Sequence, residues 1–326
     1  MKSFFKSSIH QPFEFLEYYK NIQKDAFSGS RPKNFVCFQP NEAGFGNKLY
    51  GMISTLFIAM ATKRGFAICD WPVVFDYFQF PFPVPLFKSS DLTDMGIYHF
   101  GPYCTRFPTL RIYSLSTLFP EDSIVIRTNC MLIPAMMTNP YIHKVRQYMG
   151  FREENISHDD LKLYIHSFYM NKVILLSTTL EKQVLSIYDS FPKAIYLGLQ
   201  LRTGNDTDFF SRSKKTFLND NIINNLIRNI TDRTKELENK HQMVRWFVVS
   251  DSSRLKIQMK KRFPQYVTLY HSKIDHPGYD SIYNVTQGAK DALIEMYLLS
   301  KCDTIFMTPK STFGALSRCI RGKGFI

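Results

Sequence analysis

The motifs that define several common protein classes are missing from this sequence. It contains no C-x-x-C pair, no G-x-x-x-x-G-K-[ST], no H-E-x-x-H and no G-x-S-x-G. A structural zinc site, a P-loop, a zinc protease and an α/β-hydrolase nucleophile therefore have no motif that supports them. The zinc-finger, RRM and KH signatures of nucleic-acid-binding modules are missing as well.

Long apolar runs are also missing. No segment reaches about 18 uninterrupted apolar residues, the length that a membrane-spanning helix needs, and the amino terminus has no apolar run suited to a secretion signal. We therefore expect neither a signal peptide nor a membrane span in this sequence. N-x-S/T sites favour the secretory pathway without deciding it, and a cytoplasmic location stays open; the sites are Asn155, Asn205, Asn229 and Asn284.

Cysteine is scarce and widely spaced, with six copies in 326 residues. An even number of cysteines permits disulfide bonds in an oxidising compartment. Free, buried thiols in a cytosolic protein would give the same pattern, so the sequence leaves the disulfide state open. The cysteines are Cys37, Cys69, Cys104, Cys130, Cys302 and Cys319.

The composition is typical of a globular protein with two domains. The 326 residues are too many for one typical core, and 44% of them are hydrophobic. The formal net charge of +13 favours anionic partners. Because the basic residues are dispersed and no nucleic-acid-binding motif is present, we expect an anionic small molecule as the partner and no nucleic acid.

The stretch "VCFQPNEAGFGNKLYGMISTLFIAMATKRG" (Val36–Gly65) predicts a strand, a glycine turn and a helix with one apolar face. "GFAICDW" predicts the next strand, which completes a β-α-β unit. Residues 1–32 are predicted to form a polar lead-in that ends in a turn. The pair Gly44 and Gly46 is compatible with a phosphate site, but G-x-G without a third glycine is a poor fingerprint for NAD.

The remainder of the first half has a weaker pattern. "PVVFDYFQFPFP" (Pro72–Pro83) is too rich in proline for a helix and predicts an irregular aromatic segment. "DSIVIRTN" predicts a strand, "NPYIHKVRQYMG" predicts a helix, and residues 158–191 predict amphipathic helices.

A second series of strands and helices occupies the C-terminal half. Strands are predicted at "AIYLGLQLR", "MVRWFVVSDSS", "YVTLY" and "TIFMTP", and helical patterns lie between them. This alternation predicts mostly parallel sheets. We therefore predict an α/β protein with two Rossmann-like domains that face a central cleft. The N-terminal domain is expected over residues 33–180 and the C-terminal domain over residues 181–326, with the boundary between residues 172 and 192.

Polar segments follow three predicted strands of the second series. They are "RTGND" (Arg202–Asp206), "SDSS" (Ser250–Ser253) and "TPKSTFG" (Thr308–Gly314). Ligands of open α/β sheets bind outside the carboxyl ends of the strands, so these segments predict a site for a nucleoside diphosphate. Arg202 suits phosphate oxygens, and a helix N-terminus at Ser311 favours them too. Each segment also has a purely structural interpretation, as an ion pair, a turn or a helix cap.

Taken in order, the motifs resemble those of plant-type xyloglucan α-1,2-fucosyltransferases. The resemblance begins with "GFGNKLYGMISTLFIAMATKRGFAI", "FDYFQFPFP" and "LIPAMMTNPY" in the first half. It continues with "YLGLQLRTG" and "FVVSDSS", which are similar to two donor-binding motifs of that family. "DALIEMYLLSKCDTIFMTPKSTFG" is similar to the third and is the most specific block. The resemblance covers Val36–Ile326.

The resemblance implies a GT-B glycosyltransferase. GDP-fucose would be the donor substrate, bound by the C-terminal domain, and no cofactor or metal ion would be required. The reaction would be an inverting transfer of L-fucose to a glycan hydroxyl, with galactose as the expected acceptor and an α-1,2 linkage. The N-terminal domain would offer much of the acceptor surface. A member of this family would act in the Golgi lumen.

The resemblance also assigns roles to residues. Arg202 would stabilise the leaving group, and Ser250 and Asp251 would help to hold the nucleoside. Ser311, Thr312 and Phe313 would line the diphosphate, and Asn47 would face the same cleft from the other domain. The full set of predicted substrate-binding residues is Gly46, Asn47, Lys48, Arg202, Thr203, Ser250, Asp251, Ser252, Ser311, Thr312, Phe313 and Gly314.

Three features depart from the family pattern. Lys48 stands where the family has arginine, which binds anions with a different geometry. The expected anchor helix is missing, and family members continue beyond the equivalent of "RGKGFI", so we expect a truncated C-terminal domain.

Glu42, Asp70 and His99 are candidates for the general base, but none is assignable from sequence. Another nucleotide-sugar transferase and a catalytically weak sugar-nucleotide-binding protein are the alternatives, and the oligomeric state stays open.

Overall fold

The computed structural model describes residues 11–28, 33–92, 95–101, 109–142, 158–203, 220–270 and 284–322. These residues form two compact units. The first unit contains the described residues up to Ser177, together with residues 284, 285 and 322. The second unit contains the described residues 178–270 and 286–321.

The first unit is built on a parallel sheet. Its strands are β1 (Phe35–Gln39), β2 (Gly65–Cys69), β3 (Phe78–Gln79), β4 (Leu86–Phe87), β5 (Gly96–Phe100), β6 (Ile124–Thr128) and β7 (Leu175–Leu176). Five of them form the main sheet in the order β4-β2-β1-β6-β5, with every neighbouring pair parallel. The other two, β3 and β7, form a short antiparallel pair. The parallel sheet predicted for the first half is confirmed.

The helices of the first unit differ greatly in length. They are α1 (Gln11–Ala26), α2 (Phe45–Ala61), α3 (Val74–Tyr77), α4 (Thr109–Ile112), α5 (Leu115–Leu118), α6 (Ile133–Met137) and α7 (His158–Phe168). Short 3-10 turns lie at Ser89–Asp91 and Pro140–Ile142, and a π-helical turn follows α7 at Tyr169–Val173. Within the described parts of both units, no helix is long and apolar enough to cross a lipid bilayer.

Helix α2 is the buried centre of the first unit. Nearly all of its residues are buried, in keeping with an apolar sequence on every side of the helix. Gly51 allows the helix backbone to lie close to β6, because a Cβ at this position would be 2.2 Å from the carbonyl oxygen of Thr128. The strand, turn, helix and strand predicted for Val36–Gly65 are confirmed.

The prediction of a polar lead-in over residues 1–32 is wrong for its described part, because α1 covers Gln11–Ala26. Its buried face carries Leu16, Tyr19 and Gln23 at helical spacing. The amide of Gln23 accepts a hydrogen bond from Phe66 N at 2.7 Å and donates one to Phe66 O at 2.8 Å. The pattern was missed because Leu16 shares this face with an aromatic and an amide side chain, Tyr19 and Gln23.

Two further segments differ from the sequence-based expectation. The proline-rich segment Pro72–Pro83 contains the one-turn helix α3, in the proline-free stretch between Pro72 and Pro81. For "NPYIHKVRQYMG", the structure shows a 3-10 turn at Pro140–Ile142, and residues 143–150 lie outside the described residues. The strand β5 was not predicted, since its exposed face carries Ile97 and His99 and its other face carries Tyr98, so apolar and polar residues do not alternate.

The second unit has the α/β alternation that its sequence predicts. Its strands are β8 (Ile195–Leu201), β9 (Val244–Ser250), β10 (Val267–Thr268) and β11 (Thr304–Met307). They form one parallel sheet in the order β10-β9-β8-β11. The helices are α8 (Thr178–Asp189), α9 (Asp220–Glu238), α10 (Ser253–Arg262), α11 (Gln287–Lys301) and α12 (Thr312–Arg321). The central strands β8 and β9 are almost fully buried, as their apolar runs require.

The disulfide state, which the sequence left open, is mixed. Cys37 on β1 and Cys69 on β2 form a disulfide bond, with their Cα atoms 6.1 Å apart. Cys130 is disulfide-bonded as well. Cys302 and Cys319 in the second unit are free and buried. The fold therefore contains both structural disulfides and core thiols.

Candidate functional site

The described residues of the three polar segments predicted as a ligand site lie at one edge of the second sheet, and residues 204–206 of the first segment lie outside the described residues. Strand β8 is flanked by β9 and β11, and all three run in the same direction. Leu201 pairs with Ser250, and Gln200 pairs with Met307, so the three strands end at the same level. The structure therefore places Arg202, Asp251 and the segment that begins at Thr308 at neighbouring strand ends.

The loop after β8 is tied to the loop after β9 through Asp251. Its Oδ1 atom accepts hydrogen bonds from Thr203 N at 2.8 Å and from Thr203 Oγ1 at 3.2 Å. Both residues are partly exposed, so the pair can meet a ligand while it holds the loop. Asp251 and Thr203 thus act together, a link that the sequence motifs do not reveal.

The loop after β8 is also tied to β11, through Thr308. The Thr308 side chain is fully buried. Its hydroxyl accepts a hydrogen bond from Arg202 N at 2.9 Å and donates one to Gln200 O at 3.1 Å. The backbone of half-buried Arg202 is therefore fixed directly after the end of β8. Sequence reasoning did not single out Thr308, although a threonine at the end of "TIFMT" was the available signal.

Helix α12 begins at this edge with a serine cap. Ser311 is buried, and its Oγ atom accepts a hydrogen bond from Gly314 N at 3.3 Å. Thr312 and Phe313 form the first turn and are partly exposed. Backbone N–H groups in the first turn of a helix have no partner within the helix, and they favour anions. The structure thus combines the two interpretations of this segment, a cap and an anion-compatible N-terminus.

Gly314 has a packing role at the same position. A Cβ there would lie 2.9 Å from the Cβ of Met307 and 3.1 Å from Oε1 of Gln200. Glycine therefore allows α12 to approach β8 and β11 closely. The residue before this turn, Lys310, has a positive φ of 64°.

Two of the three serines of the "SDSS" segment, Ser250 and Ser252, have their hydroxyls engaged within the loop. Ser252 caps α10, because its Oγ accepts a hydrogen bond from Leu255 N at 3.1 Å. Ser250 Oγ accepts one from Ser252 N at 3.1 Å. Both side chains are buried, so the structure uses them to shape the loop around Asp251. Their predicted contacts with a nucleoside stay predictions.

A group of buried charges lies between α10 and α11, behind this loop. Lys256 and Glu295 form an ion pair, and each side chain is less than a tenth exposed. Asp291 is buried and accepts hydrogen bonds from Tyr270 Oη at 3.0 Å and from Gln287 Nε2 at 2.8 Å. Burial and the Asp291 carboxylate raise the pKa of Tyr270 to about 12, so this phenol stays a donor at neutral pH. The Lys256–Glu295 ion pair joins α10, the helix that Ser252 caps, to α11.

The carboxyl edge of the first sheet carries a second polar network. Gln39 Nε2 donates to Asp70 Oδ2 at 2.5 Å, and Arg127 Nε donates to the amide oxygen of Gln39. Ser89 N donates to Asp70 Oδ1 at 3.0 Å. Asp70 has a positive φ of 52°, a conformation that is uncommon for residues other than glycine. Asp70 is therefore held rigidly at this edge.

The other candidates for a general base have different surroundings. Glu42 is exposed in the turn before α2, and His99 is exposed on β5. Asn41, in the same turn as Glu42, has a buried side-chain oxygen with no hydrogen-bond partner among the described residues. A buried acceptor without a donor is uncommon, and sequence reasoning did not select this residue.

The glycine turn exposes Asn47 and buries its neighbours. Gly44 is the N-terminal cap of α2 in an extended conformation, and its carbonyl accepts from Asn47 N at 3.0 Å and from Lys48 N at 3.2 Å. Asn47 is partly exposed, whereas Gly46 is buried and Lys48 has no exposed surface. Burial lowers the pKa of Lys48 to about 8. The predicted role of Lys48 in substrate binding stays a prediction.

Candidate metal ligands are dispersed in the part of the chain that the structure describes. No group of three or more His, Cys, Asp or Glu side chains lies there in a position to hold an ion. The described residues at the carboxyl edge of the second sheet include one arginine, a helix N-terminus and a held carboxylate.

The chain has the α/β fold of the GT-B fucosyltransferases, and this confirms the predicted fold. It aligns with a GDP-bound variant of FUT1 from Arabidopsis thaliana at a TM-score of 0.70 and 14% identity, over 96% of this chain and 78% of that chain. It aligns with POFUT1 in complex with GDP-fucose at a TM-score of 0.50 and 12% identity, over 90% of this chain and 95% of that chain.

The sequence comparison points to a related family. Residues 166–323 match the family model of NodZ, nodulation protein Z. The structure of fucosyltransferase NodZ from Bradyrhizobium aligns over 88% of this chain and 93% of that chain, with 17% identity and a TM-score of 0.48. No curated protein sequence matches this chain. The match to the NodZ family model and the FUT1-like fold confirm the predicted resemblance to GT-B fucosyltransferases.

Proposed function

We propose that this protein is a fucosyltransferase that moves L-fucose from GDP-fucose to a hydroxyl of a glycan. The observation that carries the proposal is the carboxyl edge of the second sheet. There Arg202, the pair of Thr203 and Asp251, and the N-terminus of α12 lie at the ends of three adjacent strands. This is the edge at which open α/β sheets bind ligands, and its donors suit a nucleoside diphosphate.

In this proposal the diphosphate is bound between Arg202 and the start of α12. The guanidinium pairs with phosphate oxygens in a fork, and the backbone N–H groups of Thr312 and Phe313 donate to the same group. Ser311 and Gly314 shape this turn from inside. Asp251 accepts hydrogen bonds from the ribose or the base, while Ser250 and Ser252 hold its loop.

The proposed reaction inverts the configuration at C1 of fucose. The acceptor oxygen forms a bond to C1 as the bond between C1 and the phosphate oxygen breaks. GDP leaves with the electron pair, and Arg202 stabilises the negative charge that develops on it. The proton of the acceptor hydroxyl passes to a general base, for which Glu42, Asp70 and His99 stay the candidates. No metal ion is assigned a role.

The acceptor side of the proposal rests on the first unit. Asn47 is the partly exposed residue of the glycine turn, and we propose that it contacts the sugars during transfer. Galactose as the acceptor and an α-1,2 linkage follow from the motif resemblance. The disulfide between Cys37 and Cys69 suits an oxidising compartment, and this supports the secretory pathway and a Golgi location.

A second candidate function is supported by Lys48. The family arginine at this position is replaced by a lysine with no exposed surface, so its guanidinium contacts would be lost. A protein that binds GDP-fucose but transfers it slowly is therefore the alternative. Measuring both GDP binding and the rate of fucose transfer separates the two candidates: both are expected to bind GDP, but only the first is expected to transfer fucose rapidly.

A thermal-shift titration tests donor binding. We expect GDP and GDP-fucose to stabilise the protein, and UDP and NAD to have little effect. Arg202→Ala should abolish the GDP response, whereas Arg228→Ala, an exposed arginine on α9, should preserve it. A stronger response to UDP than to GDP, or an Arg202→Ala variant that still responds fully, would refute the donor assignment.

A further inference from the structure

A cavity of about 300 Å³ lies at the amino-terminal edge of the first sheet. It is lined by residues 61–64, which connect α2 to β2, and by residues 114–116 and 141–142. The main sheet of this unit is parallel, so all of its strands start at this edge and end at the opposite one. The cavity is therefore separate from Gln39 and Asp70, which lie at the carboxyl edge.

The polar lining of the cavity consists of hydroxyls and cations. Four of its residues carry a hydroxyl, two are cationic, and none carries a carboxylate; the polar residues are Thr62, Lys63, Arg64, Ser114, Ser116 and Tyr141. Hydroxyl groups both donate and accept hydrogen bonds, so such a lining matches a polyhydroxylated ligand. Ala61, Leu115 and Ile142 complete the wall with apolar surface.

Exposed tyrosines stand at this cavity, and one buried amide holds their backbones. Tyr141, a lining residue, is 63% exposed, and Tyr113, next to the lining residue Ser114, is 50% exposed. Asn139 is fully buried, donates to Tyr113 O at 2.7 Å, and accepts from Tyr141 N at 2.9 Å. A tyrosine ring offers a flat apolar face with a polar tip, which suits the C–H face of a sugar ring, and the bonds of Asn139 fix the backbone that carries it.

The charges of the cavity favour an anionic group. Arg64 donates through Nη2 to Phe119 O at 2.8 Å, and its Nη1 is buried with no hydrogen-bond partner among the described residues. Glu121 and Asp122 lie near Arg64 and balance part of its charge. Lys63 is exposed in the same lining and adds a positive charge. Because Nη2 of Arg64 is already bonded and its Nη1 is buried, Arg64 contributes charge to the cavity, and exposed Lys63 is the cation that can contact a carboxylate directly.

We propose that this cavity binds one sugar unit that carries a carboxylate, such as a uronic acid of an acidic glycan. The sugar ring packs against Tyr141, one of its hydroxyls bonds to exposed Ser116, and its carboxylate pairs with exposed Lys63, with Arg64 adding positive charge nearby. The volume lies at the lower end of the range for small-molecule sites and suits a single ring. The proposal does not depend on the donor site in the second unit.

The test is a titration of the full chain with glucuronic acid, glucose and acetate, followed by calorimetry or by saturation-transfer NMR. Glucuronic acid should bind more tightly than either of the other probes. Tyr141→Ala and Lys63→Gln should each weaken its binding by about fivefold. The matched controls Tyr18→Ala on α1 and Lys182→Gln on α8, which replace other exposed residues, should leave it unchanged.

Several results would overturn the proposal. If acetate binds as tightly as glucuronic acid and Tyr141→Ala does not weaken binding, the cavity is a simple anion site. The absence of saturable binding, or equal losses in the control variants, would remove the site altogether. Binding that saturating GDP abolishes would place glucuronic acid in the donor site instead. Tyr141→Phe keeps the aromatic ring. If this variant retains most of the affinity for glucuronic acid while Tyr141→Ala loses it, the loss comes from the missing ring contact and not from loss of fold.

Discussion

The first prediction concerns Thr308→Val, which replaces a hydroxyl by a methyl group of similar size. The hydroxyl is fully buried, accepts from Arg202 N and donates to Gln200 O. The Gln200 carbonyl keeps a second bond, from Thr308 N at 3.0 Å, but the partly buried N–H of Arg202 loses its acceptor. We expect the free energy of unfolding to fall by about 1–2 kcal/mol, because a buried donor without an acceptor has lost its hydrogen bonds to water without replacement.

The same change should weaken GDP binding. Arg202 would no longer be fixed at the end of β8, and one displaced charge-assisted hydrogen bond corresponds to about a tenfold loss of affinity. Urea unfolding measures the stability, and calorimetric titration with GDP measures the affinity. Thr308→Ser retains the hydroxyl and should behave like the wild type. A valine variant with unchanged GDP affinity would refute the idea that Thr308 positions Arg202.

Three further predictions concern stability. Gly314→Ala should lower the free energy of unfolding in urea by about 1–3 kcal/mol through overpacking, offset in part by better helix propensity. The control Gly101→Ala, where a Cβ meets open space, should change it little. The pKa of Lys48 is lowered in the folded state, so the unfolded chain binds more protons than the folded chain between pH 8 and 10.5. The free energy of unfolding of the wild type should therefore rise with pH through this window, relative to that of Lys48→Met, by at most about 3 kcal/mol. Parallel pH profiles of the two proteins would contradict this. Removal of the disulfide in Cys37→Ala/Cys69→Ala opens a loop of 32 residues and should cost about 3–4 kcal/mol in thermal or urea unfolding, and an unchanged midpoint would contradict it.

The strands and long helices could be predicted because their patterns are local. Each of β8, β9 and α2 carries a long apolar run, and turn residues bound each run. Helix α1 could not be predicted in this way. Its buried face depends on Gln23, whose hydrogen bonds to Phe66 and Pro83 join residues far apart in the chain.

The candidate site was predictable as a set of strand ends but not as a network. Parallel strands end at one edge, so Arg202 and Asp251 could be placed together from sequence. The hydrogen bonds of Thr308 with Arg202 and Gln200 depend on the pairing of β8 with β11, and these residues are more than one hundred positions apart. No local pattern shows that pairing.

The central claim is tested most directly by a transfer assay. The protein is incubated with GDP-fucose and a galactose-terminated oligosaccharide, and the product is analysed by mass spectrometry and linkage analysis. We predict the addition of one fucose to galactose in an α-1,2 linkage, lost in Arg202→Ala and retained in Arg228→Ala. Transfer from GDP-mannose or UDP-galactose in preference to GDP-fucose would contradict the account, and so would full activity of Arg202→Ala.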